Sequence, residues 1–85
     1  MKLEIFCVRD IATNQFGTPM FLVSSGQAIR SFGDEVNRSA ADNQIYMHPD
    51  DFELFVLGTY DTESGLFATG VPSQIATGKA LKVRS

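Results

Sequence analysis

A single cysteine and a single histidine limit most strongly how this chain of 85 residues can stabilise a fold. Small domains often depend on disulfides or a bound metal, because a small core supplies little stability. Cys7 alone rules out a disulfide within the chain, and His48 lies too far along the sequence to form a Cys/His cluster with it. We therefore expect no metal and no cofactor. A thin core also favours a partner subunit, so we predict one domain over residues 1–85 that forms a homodimer.

Hydropathy along the chain gives no sign of a membrane segment. No apolar run approaches the ~20 residues that a membrane span needs. The residues after Met1 alternate in polarity, whereas a signal peptide would carry an apolar block. We expect the protein to remain in the cytoplasm and to have no membrane partner.

Charge is distributed unevenly beneath a net charge of −3. Residues 1–38 contain four bases and four acids, whereas residues 39–78 contain six acids and no base. The segment 79–85, which we predict to be a basic C-terminal strand or tail, contains Lys79, Lys82 and Arg84 and no acidic side chain. Phosphates of a bound polyanion would contact this segment. A solvated tail without a ligand explains the same pattern equally well.

The first half of the chain predicts two strands and a helix. Alternating apolar residues predict a strand at 2–9, and the apolar run at 20–23 is short enough for a second, buried strand. Ser24 can cap the amide of Gln27 to begin a helix over 25–38. Four apolar residues follow at helical spacing: Ala28, Ile29, Phe32 and Val36.

The second half predicts mainly strands. Residues 39–44 are small and polar, which indicates a loop, and Pro49 can begin a short helical turn. A long strand over 52–60 is apolar on both faces, which favours a central position, or an edge position covered by a partner. A hairpin loop at 61–65 leads to a strand at 66–69 that Gly70 to Pro72 should end, and we expect a brief helical turn at 73–78 and a strand at 79–84. The fold class is α+β, a small antiparallel sheet of four to five strands with one packed helix, in the order β-β-α-β-β.

The chain offers little for catalysis. It contains no glycine-rich phosphate loop, and Cys7 among apolar neighbours is typical of a packing thiol. His48 beside Asp50 and Asp51 could act as a general base, but a loop histidine ahead of a proline turn explains it more simply. We expect a protein that is not an enzyme and has no catalytic residue.

Aromatic residues offer more for binding. The chain has nine of them and no tryptophan, more than a core of this size needs, and single-strand binders stack bases on such rings. Phe16 and Tyr46 should be partly exposed, because each lies in or beside a polar loop. We expect four of the other aromatic residues to belong to the core: Phe21, Phe32, Phe55 and Phe67. Arginines in the first half of the chain have acidic neighbours with which to pair, whereas Lys79, Lys82 and Arg84 have none.

Several runs of the sequence, in order and spacing, resemble one family. Residues 8–10, 19–21, 26–32, 35–37 and 48–52 read VRD, PMF, GQAIRSF, EVN and HPDDF, and LF, LG and YD follow at 54–55, 57–58 and 60–61. Over about residues 5–72 the chain resembles the small nonstructural proteins of gokushovirus-type microviruses, which are single-stranded DNA phages. The resemblance implies a protein absent from the mature capsid that binds DNA and supports the shift to single-stranded genome synthesis. Arg30, a charged helix residue within these runs, becomes a candidate DNA contact.

Two functions follow as hypotheses. In the first, the protein binds single-stranded DNA without catalysis, through four phosphate contacts and two stacking rings: Arg30, Lys79, Lys82, Arg84, Phe16 and Tyr46. In the second, an acidic face binds the phage replication initiator or a host replication factor through Asp50, Asp51, Glu53 and Glu63. Such a face could also mimic DNA toward a basic host protein.

Overall fold

The computed structural model describes residues 1–83 as a five-stranded, curled antiparallel sheet with one main helix, which confirms the predicted α+β class. Nine elements follow one another along the chain: β1 (Lys2–Asp10), β2 (Gln15–Phe16), β3 (Met20–Leu22), α1 (Ser25–Val36), α2 (Gln44–Met47), a 3₁₀ turn (Pro49–Asp51), β4 (Phe52–Asp61), β5 (Phe67–Thr77) and α3 (Gly78–Leu81). Of these, β2 and α2 lie in segments predicted to be loops or left unassigned.

Strand β1 organises the sheet. It pairs along one side with β2 and β3 and along the other with β4, and β5 pairs with the far side of β4. The strand predicted at 52–60 therefore lies inside the sheet, and its predicted central position is confirmed. The molecule is elongated, with extents of 45 × 23 × 20 Å, because the β4–β5 hairpin extends beyond the region that α1 covers.

One face of the sheet packs against α1 and forms the core. Phe6 and Leu54 are fully buried there beneath Phe32 and Val36 of the helix, together with Ala28. Large apolar side chains on facing elements stabilise a domain by roughly 1.5–3 kcal/mol each when fully buried. We call this the helix-bearing face of the sheet.

Side chains on the opposite face follow from the strand register, because cross-strand partners share a face and successive residues alternate. Leu3 pairs with Tyr60, which pairs with Phe67, and Cys7 pairs with Phe55. We call this second surface the open face, because the core helix packs on the other one. Cys7, a residue of the central part of β1, is 1% exposed, and burial raises the pKa of its thiol.

The predicted start of α1 is confirmed in detail. The backbone N–H of Gln27 donates to Ser24 Oγ at 3.2 Å, and Gln27 Oε1 accepts from the backbone N–H of Val23 at 3.1 Å. Ser24 thereby satisfies one donor of the first turn, and the Gln27 side chain reaches back to the residue before the cap, one position earlier than in a capping box. The helix ends at Val36, two residues before its predicted end, where the Asn37 side chain donates to the carbonyl of Gly33.

Three predictions over residues 70–81 are wrong. Strand β5 continues past Gly70 to Thr77, because Gly70, Val71 and Pro72 bulge opposite Leu57 and the ladder resumes at Ser73. A proline is tolerated there, since β5 is an edge strand. The helical turn predicted at 73–78 is therefore part of β5.

The segment predicted to be a strand or tail from residue 79 instead begins within the short helix α3, which ends at Leu81, and Lys82 and Val83 follow it outside any helix or strand. Thr77 begins the helix, because its Oγ1 accepts from the backbone N–H of Ala80 at 3.1 Å. Gly78 fits against the carbonyl oxygen of Pro49, which a Cβ would overlap. The Thr77 cap and the close contact of Gly78 with Pro49 favour a helix here more strongly than the alternating polarity favours a strand. Within residues 1–83 no helix is long and apolar enough to cross a membrane.

Candidate nucleic-acid interface

Tyr46 and Lys82, two of the predicted DNA contacts, lie against each other. The Lys82 ammonium group is 3.6 Å from the centroid of the Tyr46 ring. It also donates to the backbone carbonyls of Val36 and Tyr46, at 3.4 and 3.5 Å, near the C-terminal ends of α1 and α2. An ammonium group has three N–H donors, so one remains for a further acceptor.

Asn43 holds Tyr46 in this position. Its Oδ1 accepts from the backbone N–H groups of Ile45 and Tyr46, which caps α2. Its Nδ2 donates to the carbonyls of Glu35, in the last turn of α1, and Arg38, two residues beyond the end of α1, both at 2.9 Å. Asn43 is the one buried polar residue among those described, at 4% exposure, and all its bonding capacity is directed at orienting this segment.

A hollow of about 430 Å³ opens beside the Tyr46–Lys82 pair. The 3₁₀ turn forms its far wall, so that Asp50 and Asp51 of the predicted acidic face line it together with His48. The hollow thus combines a half-buried ring and an ammonium group with two carboxylates. Within residues 1–83, no three His, Cys, Asp or Glu side chains come close enough to hold a metal ion.

A second ring and cation meet where β1 ends. The Arg9 guanidinium carbon lies 5.7 Å from the Phe16 ring centroid, and Phe16 packs edge to face on Phe55 at 5.3 Å. Phe16 is 47% exposed, in agreement with the predicted exposure. Arg9 also contacts Asn14 Oδ1 and lies 3.9 Å from a carboxylate oxygen of Glu53. We call the two contacts, Lys82 on Tyr46 and Arg9 on Phe16, the cation–ring pairs.

Both cation–ring pairs lie at the same end of the sheet. Arg9 pairs with Glu53 near the end of β1 and the start of β4, and Tyr46 precedes β4 through the 3₁₀ turn. The backbone N–H of Ile11 donates to the carbonyl of Asp51 at 2.8 Å, which ties the loop after β1 to that turn. Phe16 and Ile45, the neighbour of Tyr46, line a common hollow of about 360 Å³.

The remaining predicted phosphate contacts lie beside α3. Two positions of α1 contact Leu81 of α3: Gly33 packs against its side chain, and Asn37 donates to its carbonyl. Arg30 is exposed one helical turn before Gly33 on the same side of α1. Lys79 is exposed on α3. Neither Arg30 nor Lys79 forms a salt bridge with another described residue. Arg84 lies outside the described residues.

Arg38, by contrast, is already neutralised. Its guanidinium group donates to Glu35 at 2.6 Å, a bidentate contact that lowers the pKa of Glu35. An arginine paired in this way has less to offer a phosphate.

The four predicted acidic residues do not share one surface. Asp50 and Asp51 line the hollow, whereas Glu53 is 18% exposed beside Arg9. Glu63 is 85% exposed at the tip of the β4–β5 hairpin, where it lies 3.6 Å from the Met1 amine.

Sequence reasoning missed three kinds of residue. Arg9 has an acidic neighbour in the sequence and was not a predicted contact, but it lies beside the Phe16 ring. Phe21 and Phe67, predicted to be core, are 43% and 60% exposed, because both lie on the open face of the sheet. Phe32 is buried and Phe55 half-buried. Asn43 lies in the segment predicted to be a loop but caps α2, and an asparagine ahead of an apolar run is a common helix cap.

The fold and these contacts define a small α+β protein with one helix on an antiparallel sheet and cationic groups placed on exposed or half-buried rings. A model of the family described as Phage ORF5 protein matches residues 3–81. The chain belongs to the Phage ORF5 protein family, and its predicted phage origin is confirmed. No curated protein and no solved structure matches the chain.

Proposed function

We propose that this phage protein binds single-stranded DNA without catalysis, with bases stacked on Tyr46 and Phe16. The observation that carries the proposal is the presence of a basic side chain on each of these rings, Lys82 at 3.6 Å and Arg9 at 5.7 Å from the ring centroids. Proteins that bind single strands without reading sequence combine stacking rings with cations that follow the backbone.

Phosphates would contact the free N–H of Lys82 and the exposed side chains of Arg30 on α1 and Lys79 on α3. These cations have no carboxylate partner within 4 Å among residues 1–83, so their charge is available to a ligand. Arg84 would add a fourth contact. A single strand suits the interface better than a duplex, because only unpaired bases expose faces that can stack on the rings.

The family resemblance indicates where in the phage life cycle this binding would act. We propose that the protein acts in the host bacterial cytoplasm during genome replication, favours the switch to single-stranded progeny synthesis, and is absent from the mature virion. The net charge of −3 disfavours a polyanion over most of the surface, so binding should be limited to the side that carries the unpaired cations. Up to four phosphate contacts there predict that salt weakens the binding.

The test is fluorescence anisotropy of labelled single-stranded and double-stranded oligonucleotides at several salt concentrations. We expect saturable binding that prefers single strands and weakens with salt. Replacing Lys79, Lys82 and Arg84 together by Ala should lower the slope of log affinity against log salt by up to about two, since each phosphate contact on a single strand contributes about 0.7. Absence of binding even at low salt would exclude the proposal.

A second candidate function is binding of a basic protein, such as a phage or host replication factor, through the acidic wall of the hollow. Asp50 and Asp51 favour it, because they line the hollow beside Lys82 and would repel phosphates there.

Replacing both Asp50 and Asp51 by Asn distinguishes the two candidates. If DNA is the ligand, removing two negative charges beside Lys82 should tighten DNA binding and leave a protein pull-down empty. If a basic protein is the partner, the same variant should lose a stoichiometric partner that survives nuclease treatment. Replacing Asp42 by Asn and Glu63 by Gln provides the control with the same net charge, since both side chains are exposed outside the residues that line the hollow.

A further inference from the structure

An aromatic cluster lies on the open face of the sheet, toward the end formed by the β4–β5 hairpin loop, whereas the cation–ring pairs lie toward the opposite end. The rings of Phe21, Tyr60 and Phe67 pack against one another with centroid distances of 5.8, 6.1 and 4.8 Å. Phe21 is 43% exposed and Phe67 is 60% exposed, although both are large apolar side chains. The β4–β5 hairpin extends beyond α1 here like an arm. We therefore call Phe21, Tyr60 and Phe67 the arm patch.

No described element covers the arm patch. Helix α1 packs on the other face of the sheet, and its buried residues contact Phe6 and Leu54 rather than the hairpin tip. A sheet normally buries one apolar face against a second layer, and a contiguous exposed apolar patch on a small protein marks an interaction site.

Charge around the arm patch argues against a nucleic acid as its ligand. The sequence from Ser64 to Gly78 contains no charged residue. At the hairpin tip, Asp61 and Glu63 lie 3.8 and 3.6 Å from the Met1 amine, so the nearby charges are largely balanced. Lys2, which pairs with Asp61, adds a further cation at this tip, and one added cation is too few to attract a polyanion.

The same neutrality suits a second copy of the chain. A two-fold interface brings identical surfaces together, so a strongly charged patch would repel itself, whereas an uncharged aromatic patch does not. The copy would cover the face of the sheet rather than extend its edge, because the bulge at residues 70–72 and Pro72 itself interrupt the edge of β5.

We propose that the arm patch is the interface of a homodimer, in which the Phe21, Tyr60 and Phe67 rings of two chains pack across a two-fold axis. The cation–ring pairs remain exposed in such a dimer, because they lie toward the other end of the sheet. The dimer does not depend on DNA binding, and either proposal can fail without the other.

Light scattering and sedimentation equilibrium test the proposal. The wild-type protein should have twice the chain mass of 9.3 kDa and dissociate on dilution. Phe67→Glu should shift the protein to monomer, because it places two carboxylates in an apolar contact. Ile11→Glu replaces an apolar side chain of similar exposure to that of Phe21, 42%, near the other end of the sheet, and should leave the dimer intact. A monomeric wild type, or a Phe67→Glu protein that dimerises like wild type, overturns the proposal.

A second measurement needs no disruption of the arm patch. The chain contains two tyrosines and no tryptophan, so Tyr60 is the one remaining fluorophore of this kind in a Tyr46→Phe variant. Quenching of Tyr60 fluorescence by acrylamide should increase as the dimer dissociates on dilution. Unchanged quenching across a dissociation that sedimentation confirms would place the interface elsewhere and overturn the proposal.

Discussion

The Lys82 ammonium group lies 3.6 Å from the centroid of the Tyr46 ring and so joins segments that are 36 residues apart in the sequence. An ammonium group over an aromatic face is attracted by the ring quadrupole, more strongly where water is excluded. The contact fixes a half-buried ring beside a cation at the edge of an open hollow. The contributions of the ring and of the cation to DNA binding can therefore be tested by separate substitutions.

Tyr46→Ala should weaken binding of single-stranded DNA by about 5-fold to 150-fold, the usual loss when one stacked base loses its ring. Tyr46→Phe should bind nearly as well as wild type, because it retains the ring and loses the hydroxyl alone. Anisotropy titrations at one low salt concentration measure both. Equal affinities for the Ala and Phe variants would exclude stacking on Tyr46.

Lys82→Met should lower the salt slope of DNA binding by about 0.7, the contribution of one phosphate contact to a single strand. Methionine keeps the apolar stem against Tyr46 and removes the charge. Lys2→Met changes the net charge equally at the hairpin end of the molecule and should leave the slope at its wild-type value. A slope that falls by the same amount in both variants would show a general charge effect in place of a contact.

Asn43→Ala should destabilise the fold by about 2–3 kcal/mol, because it removes the cap of α2 and two hydrogen bonds to the carbonyls of Glu35 and Arg38. Chemical denaturation with urea measures the loss. Gln44→Ala, at the exposed neighbouring position, should stay within about 0.5 kcal/mol of wild type. A wild-type unfolding midpoint for Asn43→Ala would contradict the role assigned to this side chain.

The elements that follow from local pattern could be predicted from the sequence. Strand β1, helix α1 with its Ser24 cap, and strand β4 each carry their periodicity within one segment, and all three are confirmed. The predictions for residues 70–81 were wrong for a physical reason. Pro72 lies on an edge that the sequence does not reveal, and Gly78 is required by a contact with Pro49 that only the folded chain creates.

Three members of the cation–ring pairs, Lys82, Tyr46 and Phe16, could be predicted one by one, whereas Arg9 and the arrangement of the pairs could not. Lys82 and Tyr46 could be selected separately, as an unpaired cation and a ring beside a loop. Their contact depends on how α3 packs against the 3₁₀ turn and α1, which no local pattern encodes. Phe21 and Phe67 were assigned to the core because hydropathy does not show which face of a sheet the helix covers.

Acid should weaken the hairpin through Asp61. The backbone N–H of Glu63 and the Ser64 hydroxyl donate to its carboxylate and lower its pKa, and the Met1 amine adds to the effect. Since the folded-state pKa lies below the ordinary value of 3.8, the charged form stabilises the fold above about pH 4 and this contribution is lost as the pH falls further.

The stability difference between wild type and Asp61→Asn isolates this residue, because the other carboxylates are common to both proteins. Urea unfolding at a series of pH values should give a difference that is constant near neutral pH and shrinks below about pH 4. A difference that grows on acidification would have the wrong sign and contradict the interpretation.

Gly58→Ala should destabilise the protein by more than about 2 kcal/mol, because the backbone there has φ of +153° and a Cβ would overlap the Ala68 carbonyl oxygen and lie 2.8 Å from the Thr69 Cα. Both are backbone atoms of the paired strand β5, so neither can rotate away. Gly70→Ala is the matched control, since no atom lies within 4 Å of its Cβ position. Urea unfolding should separate the two variants clearly. Because the register of β4 and β5 also places Tyr60 beside Phe67, Gly58→Ala should weaken dimerisation as well, whereas Gly70→Ala should alter neither property.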